Sequence, residues 1–200
     1  STLDIQSGVG DVLIGQNVSS SDTATGELDA LASGATVNLD VDDFVVGFAR
    51  SAGAAQGTLR WDQEEAIQAN DVYFGWGSNA VSVLDVPAGG TFRLGTDIDR
   101  AGNLFVAYND TAAAGLLTTA LDFTVTNPTF EAYLNGSLIV GEKTVGASGD
   151  TDGSLTLGSN STLDIQSGVG DVLIGTNISS SDTATGELDA LASGATVNLD

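Results

Sequence analysis

Short apolar segments recur along this chain in a fixed order. One kind reads Asp, three apolar residues, then Gly, as in DVLIG at 11–15, DFVVG at 43–47 and DVYFG at 71–75. Weaker copies occupy 103–107 and 137–141, and DVLIG returns at 171–175. The last residues of successive copies lie 32, 28, 32, 34 and 34 positions apart. A period held through five intervals indicates a repeat protein.

Two further kinds of segment accompany the first in every period. STLDI at residue 1 is followed by ATVNL at 35, AIQA at 66, GTFRL at 90, FTVTN at 123 and STLDI again at 161. The third kind is GELDA at 26, GTLRW at 57, SVLDV at 82, GLLTT at 115 and GSLTL at 153. Apolar and polar residues alternate as in half-buried strands, and turn-forming residues separate the segments. The pattern predicts an all-β parallel β-solenoid, a right-handed β-helix with three short strands per coil of about 32 residues.

A longer repeat lies above this period. Residues 1–40 match 161–200 except at Gln16, which is Thr176, and Val18, which is Ile178. Five coils therefore form a 160-residue unit, 1–160, and 161–200 start the next. We predict one continuous solenoid over 1–200 and, because the chain begins on Ser within a repeat, a segment of a longer array. An alternative is that each unit is a globular β-sandwich of a tandem adhesin rigidified by calcium.

The predicted stacking places equivalent residues above one another, where neighbouring coils about 4.8 Å away bury them. The inward rows of the second segment begin at Val12 and Ile14. The other two predicted rows are Leu3, Val37, Ile67, Phe92, Val125 and Leu163, and Leu28, Leu59, Leu84, Leu117, Leu155 and Leu188.

The cadence of Gly, Thr, Leu and Asp in GTL, STLDI and DVLIG resembles right-handed parallel β-helices of bacterial surface proteins. Autotransporter passengers and filamentous-haemagglutinin-like exoproteins are examples. The resemblance implies an elongated protein that is extracellular or on the cell surface, and it carries over no functional residues.

Composition excludes several kinds of chemistry. The chain has no Cys, Met or His, so disulfides, thiol nucleophiles and His or Cys metal sites are absent. Net charge is −22 with five scattered cations, which argues against nucleic-acid binding. No apolar run approaches the roughly 18 residues of a membrane span. The carboxylates recur with the coil, so we predict no enzyme activity; a polysaccharide-active β-helix enzyme is a minor alternative.

Calcium is the metal that the composition favours. Carboxylates cluster in predicted turns, and calcium binds six to eight oxygen ligands in such loops. The candidate ligands are Asp40, Asp42, Asp43, Asp97, Asp99, Asp150 and Asp152. None of these turns completes a known calcium loop, and Asp is also an ordinary turn residue. We therefore expect no required cofactor, with calcium as a possible ligand.

The second segment is apolar on both faces, so a contiguous outward row is expected. Such a row on a highly charged protein marks an interface, unless the turn insertions 16–25 or 109–114 cover it. The row consists of Leu13, Val45, Tyr73, Phe105, Ile139 and Leu173.

Outward polar rows complete the prediction. Asp11, Asp43 and Asp71 should stack as like charges, whereas Asp29, Arg60 and Asp85 should alternate in sign. A threonine row, Thr2, Thr36, Thr91, Thr124 and Thr162, makes an ice-binding solenoid a minor alternative. The sequence favours a structural rod or fibre, as a surface filament, sheath, surface layer or adhesin stalk. Its expected partners are copies of itself, end to end and side by side.

Overall fold

The chain is a parallel β-solenoid of about six coils. The computed structural model describes residues 2–6, 8–19, 21–31, 36–145, 149–166, 168–178, 182–190 and 193–199. These residues form seventeen strands and no helix. All pairs between strands are parallel, so the predicted fold class is confirmed and the β-sandwich alternative is wrong.

Each coil carries strands from the three kinds of segment. The first coil holds β1 (Thr2–Gln6), β2 (Val12–Asn17) and β3 (Ala24–Ala30); the second holds β4 (Thr36–Ala49), which spans two segments, and β5 (Ala55–Trp61). The third and fourth coils hold β6 (Gln68–Trp76), β7 (Ala80–Asp85), β8 (Thr91–Leu94), β9 (Asn103–Asn109) and β10 (Leu117–Asp122). The fifth and sixth hold β11 (Thr129–Leu134), β12 (Leu138–Lys143), β13 (Thr151–Thr156), β14 (Ser161–Ile165), β15 (Val172–Asn177) and β16 (Ala184–Asp189); β17 (Thr196–Leu199) follows.

The strands stack into sheets that run along the solenoid. The longest, here called the front sheet, has the order β1-β4-β6-β9-β12-β15, with β2 also paired to β4. The first segments of the later coils form the sheet β8-β11-β14-β17. The third segments form two sheets, β3-β5-β7 and β10-β13-β16, with an interruption between β7 and β10.

The inward rows of the front sheet are confirmed. Val12, Phe44, Val72, Leu104, Leu138 and Val172 pair in register from coil to coil. Ile14, Val46, Phe74, Val106 and Val140 form the next inward row. The core around them is aromatic, because Phe92 stacks on Phe130 with ring centroids 6.1 Å apart. Stacked coils therefore bury faces that no single coil could bury.

The rows of the other two segments are partly wrong. Leu121, not Leu117, aligns with Leu155, because β10 enters the row four residues later than predicted. Val125 is 81% exposed and lies outside the strands; β11 supplies the first segment of the fifth coil. Ile67 pairs with Leu94 rather than Phe92.

The predicted threonine row begins with the pair Thr2 and Thr36 but does not continue. Thr91 pairs with Thr129 and is buried, Thr162 pairs with Glu131, and Thr124 lies outside the strands. A polar row of regularly spaced threonine hydroxyls, which the ice-binding alternative requires, is therefore missing from the described coils.

Glycines shape the corner between the second and third segments. Gly141 has φ +69°, and a Cβ added to it would lie 1.8 Å from the carbonyl oxygen of Thr185. At this position only glycine satisfies both the left-handed backbone and the close approach of β16 from the sixth coil. Ala107 holds the same place in the fourth coil at φ 59°, a conformation that is uncommon for a residue with a side chain.

Candidate interaction surface

The six residues of the predicted interface form one outward row on the front sheet. Leu13, Val45, Tyr73, Phe105, Ile139 and Leu173 pair in register. Most of the row is covered: Val45 is fully buried, and Tyr73 and Ile139 are 7% and 6% exposed. Leu13, at 37%, is the exposed member. The row is therefore continuous, but most of its side chains are too buried for a partner to contact more than their exposed atoms.

A second outward row, which sequence reasoning missed, supplies much of this cover. Phe48, Trp76 and Tyr108 pair in register one residue after the glycine position and pack against the first row. Strict alternation would turn them inward. The left-handed residue, Gly47 in the second coil with φ 76°, breaks the alternation and keeps Phe48 on the outer face.

The two rows build an aromatic cluster, defined here as Val45, Phe48, Tyr73, Trp76, Phe105 and Tyr108. Tyr73 stacks on Phe105 with ring centroids 4.4 Å apart and planes 9° from parallel. Tyr73 also stacks on Trp76, at 4.4 Å and 20°. Rings stacked in this way bury one another's faces, so the cluster is largely a second, external core.

The polar atoms of the cluster find partners at its rim. The Tyr73 hydroxyl donates to Asp71 at 3.3 Å, and Trp76 Nε1 donates to Asp110 at 2.8 Å. Burial raises the pKa of Tyr73 and of Tyr108 above the ordinary tyrosine value. Asp110 belongs to the insertion 109–114, which thus reaches the rim. The cluster is hydrogen-bonded within the chain and ringed by carboxylates.

A row of carboxylates runs beside the cluster. Asp43 pairs with Asp71 across adjacent strands, and Asp11 precedes the strand that pairs with β4. Burial, followed by the charges of Asp71, Asp11 and Asp42, raises the pKa of Asp43 to about 6. In the fourth coil the row continues with Asn103, whose Nδ2 donates to Asp71 at 2.6 Å. The amide of Asn103 therefore relieves the predicted stack of like charges in the fourth coil, and the raised pKa of Asp43 reflects the burial and repulsion that remain in the coils before it.

The seven candidate calcium ligands do not gather into a single site among the described residues. Asp42 accepts a hydrogen bond from Asn70 at 2.7 Å, Asp150 from the Thr183 amide at 3.0 Å, and Asp152 from Thr185 Oγ1 at 2.8 Å. Asp40 and Asp99 line one cavity of about 220 Å³, while Asp97 is exposed in the turn beside it. In the described ranges no three carboxylates converge as a metal site. Calcium binding stays a prediction.

Ion pairs of Arg60 and Arg93 connect neighbouring coils. Arg60 bridges Asp29 at 2.8 Å and Asp85 at 3.1 Å, which confirms the predicted row of alternating sign. Arg93 bridges Glu64 and Glu131 on the neighbouring coils, at 2.8 and 2.6 Å. The closest partners in sequence, Arg60 and Asp85, are 25 residues apart. The ion pairs therefore hold the stack together along its axis.

Two ion pairs reach the second copy of the repeat. Arg100 Nη1 lies 2.5 Å from Asp164 Oδ1 and lowers the pKa of that carboxyl. Lys143 Nζ lies 3.7 Å from Asp182 Oδ2. The Lys143 side chain is fully buried and its Nζ has no hydrogen-bond partner among the described residues, while the side chain of Asp182 is only 10% exposed. A buried lysine is rare unless it is paired with a carboxylate.

Sequence reasoning missed Lys143, although a signal was present. Along its row of the front sheet the residues are Asn17, Ala49, Gly77, Asn109, Lys143 and Asn177. One cation in a row of neutral residues is an exception to the repeat, and this exception is the signal by which the sequence distinguishes Lys143 from its neighbours.

Comparison of the chain with models of protein families, with curated proteins and with solved structures found no match. The part of the chain that the structure describes contains no helix long and apolar enough to span a membrane.

Proposed function

We propose that this chain is part of a rod-shaped structural protein that lies outside the cell and is built from stacked 160-residue units. The observation that carries the proposal is the continuity of the ladders across the repeat boundary. β14, β15 and β16 of the second copy pair in register with β11, β12 and β13 of the first. A second unit thus extends the stack, and its length grows with each repeat.

The extracellular location rests on composition and on the resemblance to bacterial surface β-helices. A chain without cysteine suits repeated export and exposure, and its acidity keeps a long rod soluble. The proposed role is structural, in a filament, sheath, surface layer or adhesin stalk, and no catalytic role is proposed. The proposed partners are copies of the chain, stacked end to end and packed side by side.

The proposal predicts shape, and electron microscopy of the purified protein tests it. A chain carrying several 160-residue units should appear as an unbranched rod that lengthens by about 24 Å per five-coil unit. Separate beads joined by linkers would contradict it. Melting with and without a calcium chelator provides a second measurement: a continuous solenoid should lose little stability, whereas calcium-dependent junctions would soften first.

Side-by-side packing through the front sheet needs its own test. Leu13 and Leu173 are members of the outward row at opposite ends of the chain, and Val9 is exposed but lies off the row. Leu13→Ser with Leu173→Ser should reduce lateral association in sedimentation experiments, while Val9→Ser should leave it unchanged. Equal association of all three proteins would remove the front sheet as a lateral interface.

A further inference from the structure

The two ends of the repeat unit carry unlike charges at matching places. Asp4 and Asp22 of the first coil correspond to Asp164 and Asp182 of the sixth, because residues 1–40 and 161–200 share their sequence at these positions. Asp164 and Asp182 are paired with Arg100 and Lys143. Asp4 and Asp22 are exposed, and no ion pair of theirs occurs among the described residues.

We propose that the first coil docks onto the fourth and fifth coils of a second copy of the repeat, with Asp4 against its Arg100 and Asp22 against its Lys143. The inference rests on the proposed rod and adds what selects the contact. The interface is already visible inside the chain, where the sixth coil lies on the fifth through three parallel strand pairs.

The charges make this contact selective. The row that contains Lys143 carries Asn17, Ala49, Asn109 and Asn177 in four other coils and Gly77, the residue after Trp76, in the third, so among the described residues it offers a cation only on the fifth coil. A first coil stacked on any other coil would bury the carboxylate of Asp22 without a counter-charge, which is strongly unfavourable. Lys143, on the last coil of one unit, therefore supplies the counter-charge that the first coil of the next unit needs.

Packing supports the same partner. Leu3 is 41% exposed, whereas Leu163, at the same place in the sixth coil, is fully buried between the strands on either side. The first coil presents the exposed side chain of Leu3 together with the carboxylates of Asp4 and Asp22. A complementary partner therefore needs an apolar edge, a lysine and an arginine. The fourth and fifth coils of this repeat supply that combination.

The test compares the unmodified 200-residue chain with a longer chain in which a copy of residues 1–160 precedes it. Amide hydrogen exchange reports the opening of each coil separately. In the 200-residue chain, Asp164→Asn with Asp182→Asn should speed exchange in the sixth coil at least about tenfold, and Asp4→Asn with Asp22→Asn should leave the first coil unchanged. In the longer chain, Asp4→Asn with Asp22→Asn in the copy that follows the added one should speed exchange in its first coil as much as Asp164→Asn with Asp182→Asn speeds exchange in the sixth.

A second variant separates pairing from general damage. Lys143→Met in the preceding copy should open the coil that follows it, and Asp22→Asn in that coil should restore most of the protection, since the unpaired carboxylate is then removed. The inference is overturned if the Asn variants leave exchange unchanged in the longer chain, or if Asp22→Asn brings no recovery. Electron microscopy of the same longer chain judges the rod independently: two beads contradict the proposed function, whereas a single rod with silent variants contradicts only the charge selection.

Discussion

The first and sixth coils have nearly the same sequence but different burial. Leu3 is 41% exposed in the first coil, while Leu163 is fully buried in the sixth. The difference reverses one strand later: Ile14 is 7% exposed, and Ile174 is 43% exposed. The same sequence therefore buries different side chains at the two ends of the stack.

The neighbours of each strand explain the reversal. β14 lies between β11 and β17, whereas β1 pairs with β4 alone among the described strands. Ile14 is covered by the complete second coil, while β17 is the described strand that follows the sixth coil. Burial in a solenoid is thus a property of adjacent coils, and the stability of a coil is shared with the coils it touches.

The largest expected effect comes from truncating the same residue in both coils. Leu163→Ala should destabilise the sixth coil by about 2–5 kcal/mol, whereas Leu3→Ala should cost under about 1 kcal/mol, because Leu3 is already exposed. Ile14→Ala and Ile174→Ala should show the opposite order. Hydrogen exchange of the affected coil measures each effect. Equal costs for the two copies would show that burial does not depend on neighbouring coils.

Glycine substitution sharpens the comparison at the corner. Gly15 and Gly175 both have positive φ, at +71° and +66°. A Cβ at Gly15 would lie 2.0 Å from the Gln56 carbonyl oxygen, whereas at Gly175 the nearest atom is 3.2 Å away.

Both alanine variants should lose about 1–2 kcal/mol through the left-handed backbone, and Gly15→Ala should lose more because the second coil must move. Local hydrogen exchange again gives the cost of each variant. A larger loss for Gly175→Ala would contradict the role of the close approach.

The smallest expected effect concerns charge. The pKa of Asp43 is raised to about 6, so the folded state holds this proton more tightly than the unfolded state. The contribution of Asp43 to stability therefore falls as pH rises from about 4 to about 6 and stays low above that range. Asp11→Asn removes one of the like charges responsible and should weaken this dependence, with a gain below about 1 kcal/mol at pH 7.5.

Asp171→Asn is the matched control, because Asp171 holds the place of Asp11 in the sixth coil and lies near Ser137, whose Oγ accepts a hydrogen bond from its amide. Thermal melting between pH 4.5 and 7.5 and NMR titration of the Asp43 carboxyl would measure both variants. An Asp43 pKa that stays near 6 in Asp11→Asn would exclude Asp11 as a cause.

The sequence predicted the front sheet well because each coil marks it with the same apolar triplet and left-handed residue. The alternation of apolar and polar residues could not determine which residues of the other strands stack on one another. Leu117 and Leu121 are four residues apart and both point inward, so a pattern of period two fits either one equally. The prediction that Val125 lies in the inward row was wrong for another reason. Asn127 has φ 45° and is followed by Pro128, and together they turn the chain before β11 begins.

The candidate surface was less predictable than the fold. The outward row was identified from its apolar residues, but its cover depends on a backbone conformation that shifts Phe48 to the outer face. The partners of Lys143 depend on which coil follows it, which a single coil cannot reveal. Local sequence thus fixes the strands, whereas the contacts between coils fix the surface.

The parallel ladders also determine how such a rod would respond to tension. The hydrogen bonds between coils run along the axis, so a pull on the chain ends loads the outermost coil first. Each coil adds about 4.8 Å to the rod but contains about 110 Å of chain when drawn straight. Every coil that peels away would lengthen the molecule by roughly twentyfold its own rise and would dissipate the work of breaking its ladder and ion pairs. A stack of this kind would yield stepwise under load, as a molecular shock absorber, before its backbone carried the full force.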